Sequence, residues 1–168
     1  MAFFKYLFAA LCATHLAAAV QASDLSRPDG RVLLTVSGEI AHTNSEQTAQ
    51  FDRTMLESLD WTEIVSFTSL TEGPQVFAGP TLSSLLDAVG ARGTRLRATA
   101  IDDYSIIIPL ADAAEHNVIL AMERNGAAMP VRSKGPIWVI YPLSEADAAK
   151  NTFTREMIWQ LYRLSVER

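Results

Sequence analysis

Residues Asn125–Pro142, NGAAMPVRSKGPIWVIYP, decide how this chain is read. The Asn125-Gly126 pair follows the apolar run Val118 to Met122. Asn-Gly is the strongest short hairpin signal, because both central residues of a type I′ turn need a positive φ. The stretch closes on Ile137, Trp138, Val139, Ile140 and Tyr141, fenced by Pro136 and Pro142, a β-branched and aromatic run that predicts a buried strand. Between the two runs lie Met129-Pro130, Arg132, Lys134 and Gly135-Pro136, a stiff connection carrying two cations. Rigid loops hung on buried strands are where binding groups gather, although solvated surface cations fit the same pattern.

Working outward, the N-terminus carries an address. Lys5 precedes an uncharged run from Tyr6 to Val20, and Val20-Gln21-Ala22 places small residues at the positions a signal peptidase reads. Residues 1–22 are therefore expected to be a secretory signal peptide cut after Ala22, leaving a domain of residues 23–168 in the periplasm. Leu11 before Cys12 is too large for a lipobox, so no lipid anchor is expected. Cys12 is the only cysteine of the chain, so residues 23–168 offer no disulfide and no thiolate. The formal net charge of −5 and the lack of a basic run argue against a nucleic-acid partner. No later stretch is apolar for long enough to enter a membrane after processing.

The remaining elements follow from periodicity. Strands are predicted at Val32–Val36, Ile64–Leu70, Gln75–Phe77, Arg95–Ile101 and Tyr104–Ile108. Phe51, Met55, Leu56 and Leu59 predict an amphipathic helix of about three turns. Leu82, Leu85, Leu86 and Val89 predict another, introduced by Gly79-Pro80 and closed by Gly90. A short helix is expected within Pro109–His116. Met157, Ile158, Leu161 and Leu164 predict a last helix. The order lacks strict β-α-β alternation, so the fold class is α+β: a single compact domain of mixed sheet with short helices.

Chemical motifs are sparse. His42 and His116 have no metal-spaced partner, and no nucleophile elbow or phosphate loop occurs. Asp102-Asp103 fits a turn better than an acid–base pair, since adjacent strand residues face opposite ways.

The order of features from Tyr104 onward, YSIIIPLADAAEHNVILAMERNGAAMPVRSKGPIWVIYP, resembles the molybdopterin-binding domain of sulfite-oxidase-like oxidoreductases. The shared features are Ile-Pro-Leu, Ile-Leu-Ala, Asn-Gly, Met-Pro-x-Arg, Gly-x-Pro and a strand ending in Pro, with FAGPTLSSLLDAVGA upstream matching the family's helix. The resemblance implies that fold over roughly Val32 to the C-terminus. Enzymes of the family hold molybdenum through a cysteine in the loop after a Thr-containing strand, and Ser66–Thr71 has none. A hydroxyl or carbonyl is a poor substitute for a soft thiolate.

The chain resembles a short, exported, cysteine-free branch of this fold whose members bind a free pterin. They act on the periplasmic region of an inner-membrane cyclic-di-GMP cyclase/phosphodiesterase. The resemblance thus implies a non-catalytic pterin-binding protein, with a molybdopterin-dependent oxidoreductase, or a subunit of one, as the alternative. A fold that binds only protein is a third reading. Pterin recognition needs an aromatic platform, an acceptor for the guanidine-like edge and donors for O4. Phe67, Tyr104 and Trp138 are candidates for the first, Asp102 or Asp103 for the second, and Arg132 or Lys134 for the third. Thr68 and Ser69 are included because they occupy the region of the missing thiolate. Trp138 and Phe67 fit core packing equally well, and Trp61 and Trp159 are assigned to packing.

Overall fold

The computed structural model describes residues 25–168; the expected signal peptide and Cys12 lie outside them. The chain runs β1 (Leu34–Gly38), β2 (Ala49–Phe51), α1 (Arg53–Glu57), β3 (Trp61–Ser66), β4 (Gln75–Pro80) and α2 (Leu82–Val89). It continues through β5 (Arg95–Ala100), β6 (Ser105–Pro109), α3 (Asp112–Glu115), β7 (Ile119–Ala121), β8 (Glu123–Arg124) and β9 (Ala127–Ala128). A 3₁₀ turn at Val131–Ser133, β10 (Trp138–Ile140), α4 (Glu145–Ala149) and β11 (Leu161–Glu167) complete it.

Three sheets share one core. The largest has the order β2-β1-β11-β5-β6, another is β3-β4-β8-β9, and β7 pairs with β10. β1 and β11 run parallel, which brings the two ends of the described chain together in one sheet. Leu34, Val36, Leu96, Ile108, Leu164 and Val166 of the large sheet join Leu82, Leu85, Leu86 and Val89 of α2 and all of β10 in a single apolar cluster. This is the mixed-sheet, short-helix α+β domain that the sequence predicts.

The central stretch folds as two nested pairs. β7 and β10 are antiparallel, with Val139 opposite Leu120. Asn125 (φ 51) and Gly126 (φ 74) close a smaller inner hairpin, β8–β9, which lies against β4. α2 has the predicted length: Thr81 caps its start through Ser84 N, and Gly90 ends it in the left-handed conformation.

Three expectations are corrected. The helix through Phe51 and Leu59 shrinks to α1, because Asp52 is an extended N-cap whose carboxylate accepts from Met55 N, leaving Phe51 in β2. The short strand expected at Gln75–Phe77 runs on through Gly79-Pro80, which ends β4 immediately before Thr81 caps α2. Gly79 lies so close to β7 that a Cβ there would stand 2.1 Å from Leu120 O. The last segment is a strand, not a helix. A register shift between Leu161 and Arg163 leaves Tyr162 unpaired against β5, so Leu161, Leu164 and Val166 all face the core. That bulge turns strand alternation into the three-residue spacing of a helix.

Candidate functional site

The β3–β4 connection starts at Ser66, which is fully buried. Its Oγ donates to Tyr141 O (2.7 Å) and accepts from Leu143 N (3.1 Å), while Phe67 N donates to Leu143 O (3.1 Å). These bonds clamp the loop against the end of β10. Thr68, also buried, pairs with Thr71 through their hydroxyls (2.9 Å) and accepts from Leu70 N (3.1 Å). The hydroxyls are committed to the loop itself, and Leu70 is pushed outward.

The β5–β6 turn supplies a second wall. Asp103 takes the left-handed conformation at φ 65, which any L-residue adopts at some cost but Asp tolerates well. Asp102 Oδ1 accepts from Tyr104 N (3.1 Å), an Asx turn that fixes the Asp102 carboxylate. Asp103 is turned away to Arg163 Nη2 (3.2 Å) and Tyr162 OH (3.4 Å).

The third wall is the irregular segment Thr154–Trp159. It is laced to its neighbours by backbone bonds: Val139 N to Ile158 O (2.9 Å), Leu161 N to Ile137 O (3.0 Å) and Ile101 N to Gln160 O (3.0 Å). Phe153, at φ 53, stacks on Tyr141 with ring centroids 4.3 Å apart and anchors the start of the segment. Beneath that stack the buried Tyr141 hydroxyl donates to Asp112 Oδ2 (2.7 Å). Burial, then the Asp112 hydrogen bond and charge, push the Tyr141 phenol well above its ordinary range.

Together these walls enclose a cleft of about 400 Å³ whose polar groups include Asp102 and Arg155 and whose apolar lining includes Leu70, Tyr104, Ile158 and Trp159. That size and character suit one small ring system. Trp159 is 39% exposed and Tyr104 54%, so aromatic surface is open to a ligand here. A larger hollow of about 630 Å³ beside Arg27, Arg31 and Arg53 mixes those cations with Asp29 and Asp52 and has no aromatic wall.

Of the residues singled out in the sequence, Asp102 and Tyr104 line this cleft. The Ser66–Thr71 loop reaches it through Leu70, with Phe67, Thr68 and Ser69 outside the lining. Trp138 is not an open platform. It is fully buried, meets Phe77 edge-on at 5.4 Å, and donates Nε1–H to Met157 O (2.9 Å). Arg132 is exposed on the 3₁₀ turn and does not border the cleft. Lys134 points its ammonium at two indoles, 5.3 Å from the Trp138 centroid and 4.3 Å from that of Trp159. Burial, then the charge of Arg124, lower its pKa.

Trp159, Arg155 and Thr154 are the functional candidates that sequence reasoning missed. Thr154 and Arg155 precede, and Trp159 falls within, the stretch whose spacing predicts a last helix, and β11 begins only at Leu161. The exposed aromatic between Ile158 and Gln160 was the available signal.

Among the described residues no group of three or more His, Cys, Asp or Glu side chains could hold a metal ion. The Ser66–Thr71 loop offers hydroxyls and no thiolate, with those of Ser66, Thr68 and Thr71 already hydrogen-bonded, so a molybdenum–thiolate site does not fit residues 25–168. The cleft instead presents aromatic surface on Trp159 and Tyr104 beside the charged groups of Asp102 and Arg155.

Comparison with known proteins agrees with this architecture. No curated protein matches the chain. Its fold is similar to that of the sulfane dehydrogenase SoxCD from Paracoccus pantotrophus, with a TM-score of 0.60 and 19% identity over 80% of this chain. The chain covers 37% of that protein, little more than a third of its length. The family described as oxidoreductase molybdopterin binding domain matches residues 35–149, from β1 through α4. The chain therefore belongs to the oxidoreductase molybdopterin binding domain family.

Proposed function

We propose that the chain binds a pterin-type ring in the cleft between Leu70, the Asp102–Tyr104 turn and Trp159, without molybdenum held on a thiolate. In this reading it is a non-catalytic binding protein of the periplasm. Its occupancy is sensed by the periplasmic region of an inner-membrane protein that makes or degrades cyclic-di-GMP. The observation that carries the binding step is the pairing of open aromatic surface, Trp159 and Tyr104, with one carboxylate and one guanidinium in a single cleft. An aromatic face gives area for stacking, and the two charged groups fix the ring's orientation. Export and partnership rest on the N-terminal sequence and the family resemblance.

A second reading, a molybdopterin-dependent oxidoreductase or a subunit of one, is favoured by the family itself. The test is the protein isolated from periplasm, with its molybdenum content and the fluorescence of released pterin measured together. Pterin without metal is expected. Stoichiometric molybdenum would replace the proposal with the second reading, and absence of both, with no pterin uptake on addition, would leave a fold that binds only protein.

A further inference from the structure

We infer that Lys134 is a positioning residue for the cleft: its ammonium, seated over the indole of Trp159, holds that ring as a fixed wall for a planar ligand. The inference rests on the pterin-type reading above, and it reassigns Lys134 from a direct donor to a residue acting through Trp159.

The backbone brings the two residues together. Lys134 stands in the left-handed conformation (φ 73), and its carbonyl accepts from Gln160 N (3.0 Å). Gln160 Nε2 donates to Val131 O (2.8 Å), so the 131–134 turn and the 159–160 segment are joined at two points. An antiparallel backbone bridge pairs Trp138 with Trp159. Trp138 cannot move, being buried and hydrogen-bonded to Met157 O. Trp159 has no such anchor and borders the cleft.

The ammonium completes the arrangement. It lies 4.3 Å from the Trp159 centroid and 5.3 Å from that of Trp138, within the range of a cation–π contact to each. None of the ion pairs among the described residues involves Lys134. A half-buried cation without a carboxylate is therefore held by the two rings, one fixed and one facing the cleft. Covering one region of the Trp159 ring with the ammonium leaves its remaining surface to the cleft in one orientation, which lowers the ordering cost when a planar ring stacks on it.

The test uses the full exported protein and pterin itself as probe. The variants are Lys134→Met, Lys134→Gln as a second neutral form, and Lys134→Arg. Each is read in two ways: by the ¹⁵N-indole signal of Trp159 in the ligand-free protein, identified with Trp159→Phe, and by pterin affinity. Both neutral variants are expected to move the Trp159 signal, leave that of Trp61 in place, and weaken pterin binding about three- to tenfold. Lys134→Arg, which keeps the cation, is expected to restore affinity to within about twofold. An unmoved Trp159 signal, or unchanged affinity in the neutral variants, overturns the inference. Failure of the unaltered protein to take up pterin defeats the functional reading instead, and the indole signal then decides alone whether Lys134 positions the ring.

Discussion

Ser66 Oγ donates to Tyr141 O at 2.7 Å, tying the Ser66–Thr71 loop to the end of β10. The same hydroxyl accepts from Leu143 N, and the serine is fully buried. Ser66→Ala strands a buried carbonyl and a buried N–H. A loss of about 1–3 kcal/mol in unfolding free energy is expected, read from urea denaturation at neutral pH. A change within a few tenths of that scale would show that water replaces the hydroxyl.

Asp52 gives a pH-dependent test. Its carboxylate accepts from Met55 N (2.9 Å), Gly30 N (2.8 Å) and Asp29 N (2.9 Å), and these donors, Met55 first and Gly30 next, hold its pKa below the ordinary 3.8. A depressed carboxylate stabilises the fold above its unfolded pKa, and the stabilisation is lost as pH falls through the folded pKa. Asp52→Asn should therefore lower stability most at neutral pH, with the gap to the unaltered protein closing below about pH 4. Urea midpoints across pH 2.5–7 check it; a gap independent of pH would contradict the carboxylate's role.

The cleft separates three side chains that the sequence grouped or overlooked. Arg155→Ala is expected to weaken pterin binding about tenfold while leaving the melting temperature nearly unchanged, because an exposed charge contributes to a ligand contact more than to folding. Arg132→Ala, outside the cleft, should change neither quantity. Trp138→Ala should lose about 3–5 kcal/mol of stability as a core deletion. Calorimetric titration and thermal unfolding of the three variants decide the assignment; weaker binding in Arg132→Ala alone would move the site to the 3₁₀ turn.

Gly79 packs against the backbone of β7 so closely that any side chain collides with Leu120 O. Backbone cannot swing aside as a flexible side chain can. Gly79→Ala is expected to cost about 1–3 kcal/mol or to abolish soluble expression. Denaturation at the stability of the unaltered protein would show that β4 and β7 separate readily.

What was legible in the sequence was local and strongly patterned. α2 announced itself through four apolar residues on one face and Gly90 behind them, and Asn125-Gly126 demanded its turn. The C-terminal strand was misread because the bulge at Tyr162 moves Leu164 onto the spacing of a helix. Phe51 was drawn into a helix because its spacing to Met55 fits one apolar face, although Asp52, a strong N-cap residue, starts α1 after it. Asp102 and Tyr104 line the cleft and could be singled out beforehand because a short acidic turn beside an aromatic is visible in one dimension. Trp159 and Arg155 reach the cleft only through the backbone bonds that lace residues 154–160 to β10 and β5, and no periodicity encodes those.

The central claim, a pterin-type ligand in the cleft of Leu70, Asp102, Tyr104 and Trp159, is tested most directly by mapping amide shifts of the ¹⁵N-labelled protein during titration with pterin. Saturable shifts concentrated at residues 70, 102–104 and 154–159 are the predicted result. Absence of saturable shifts, or shifts centred on Arg132 or the hollow beside Arg31, would contradict it.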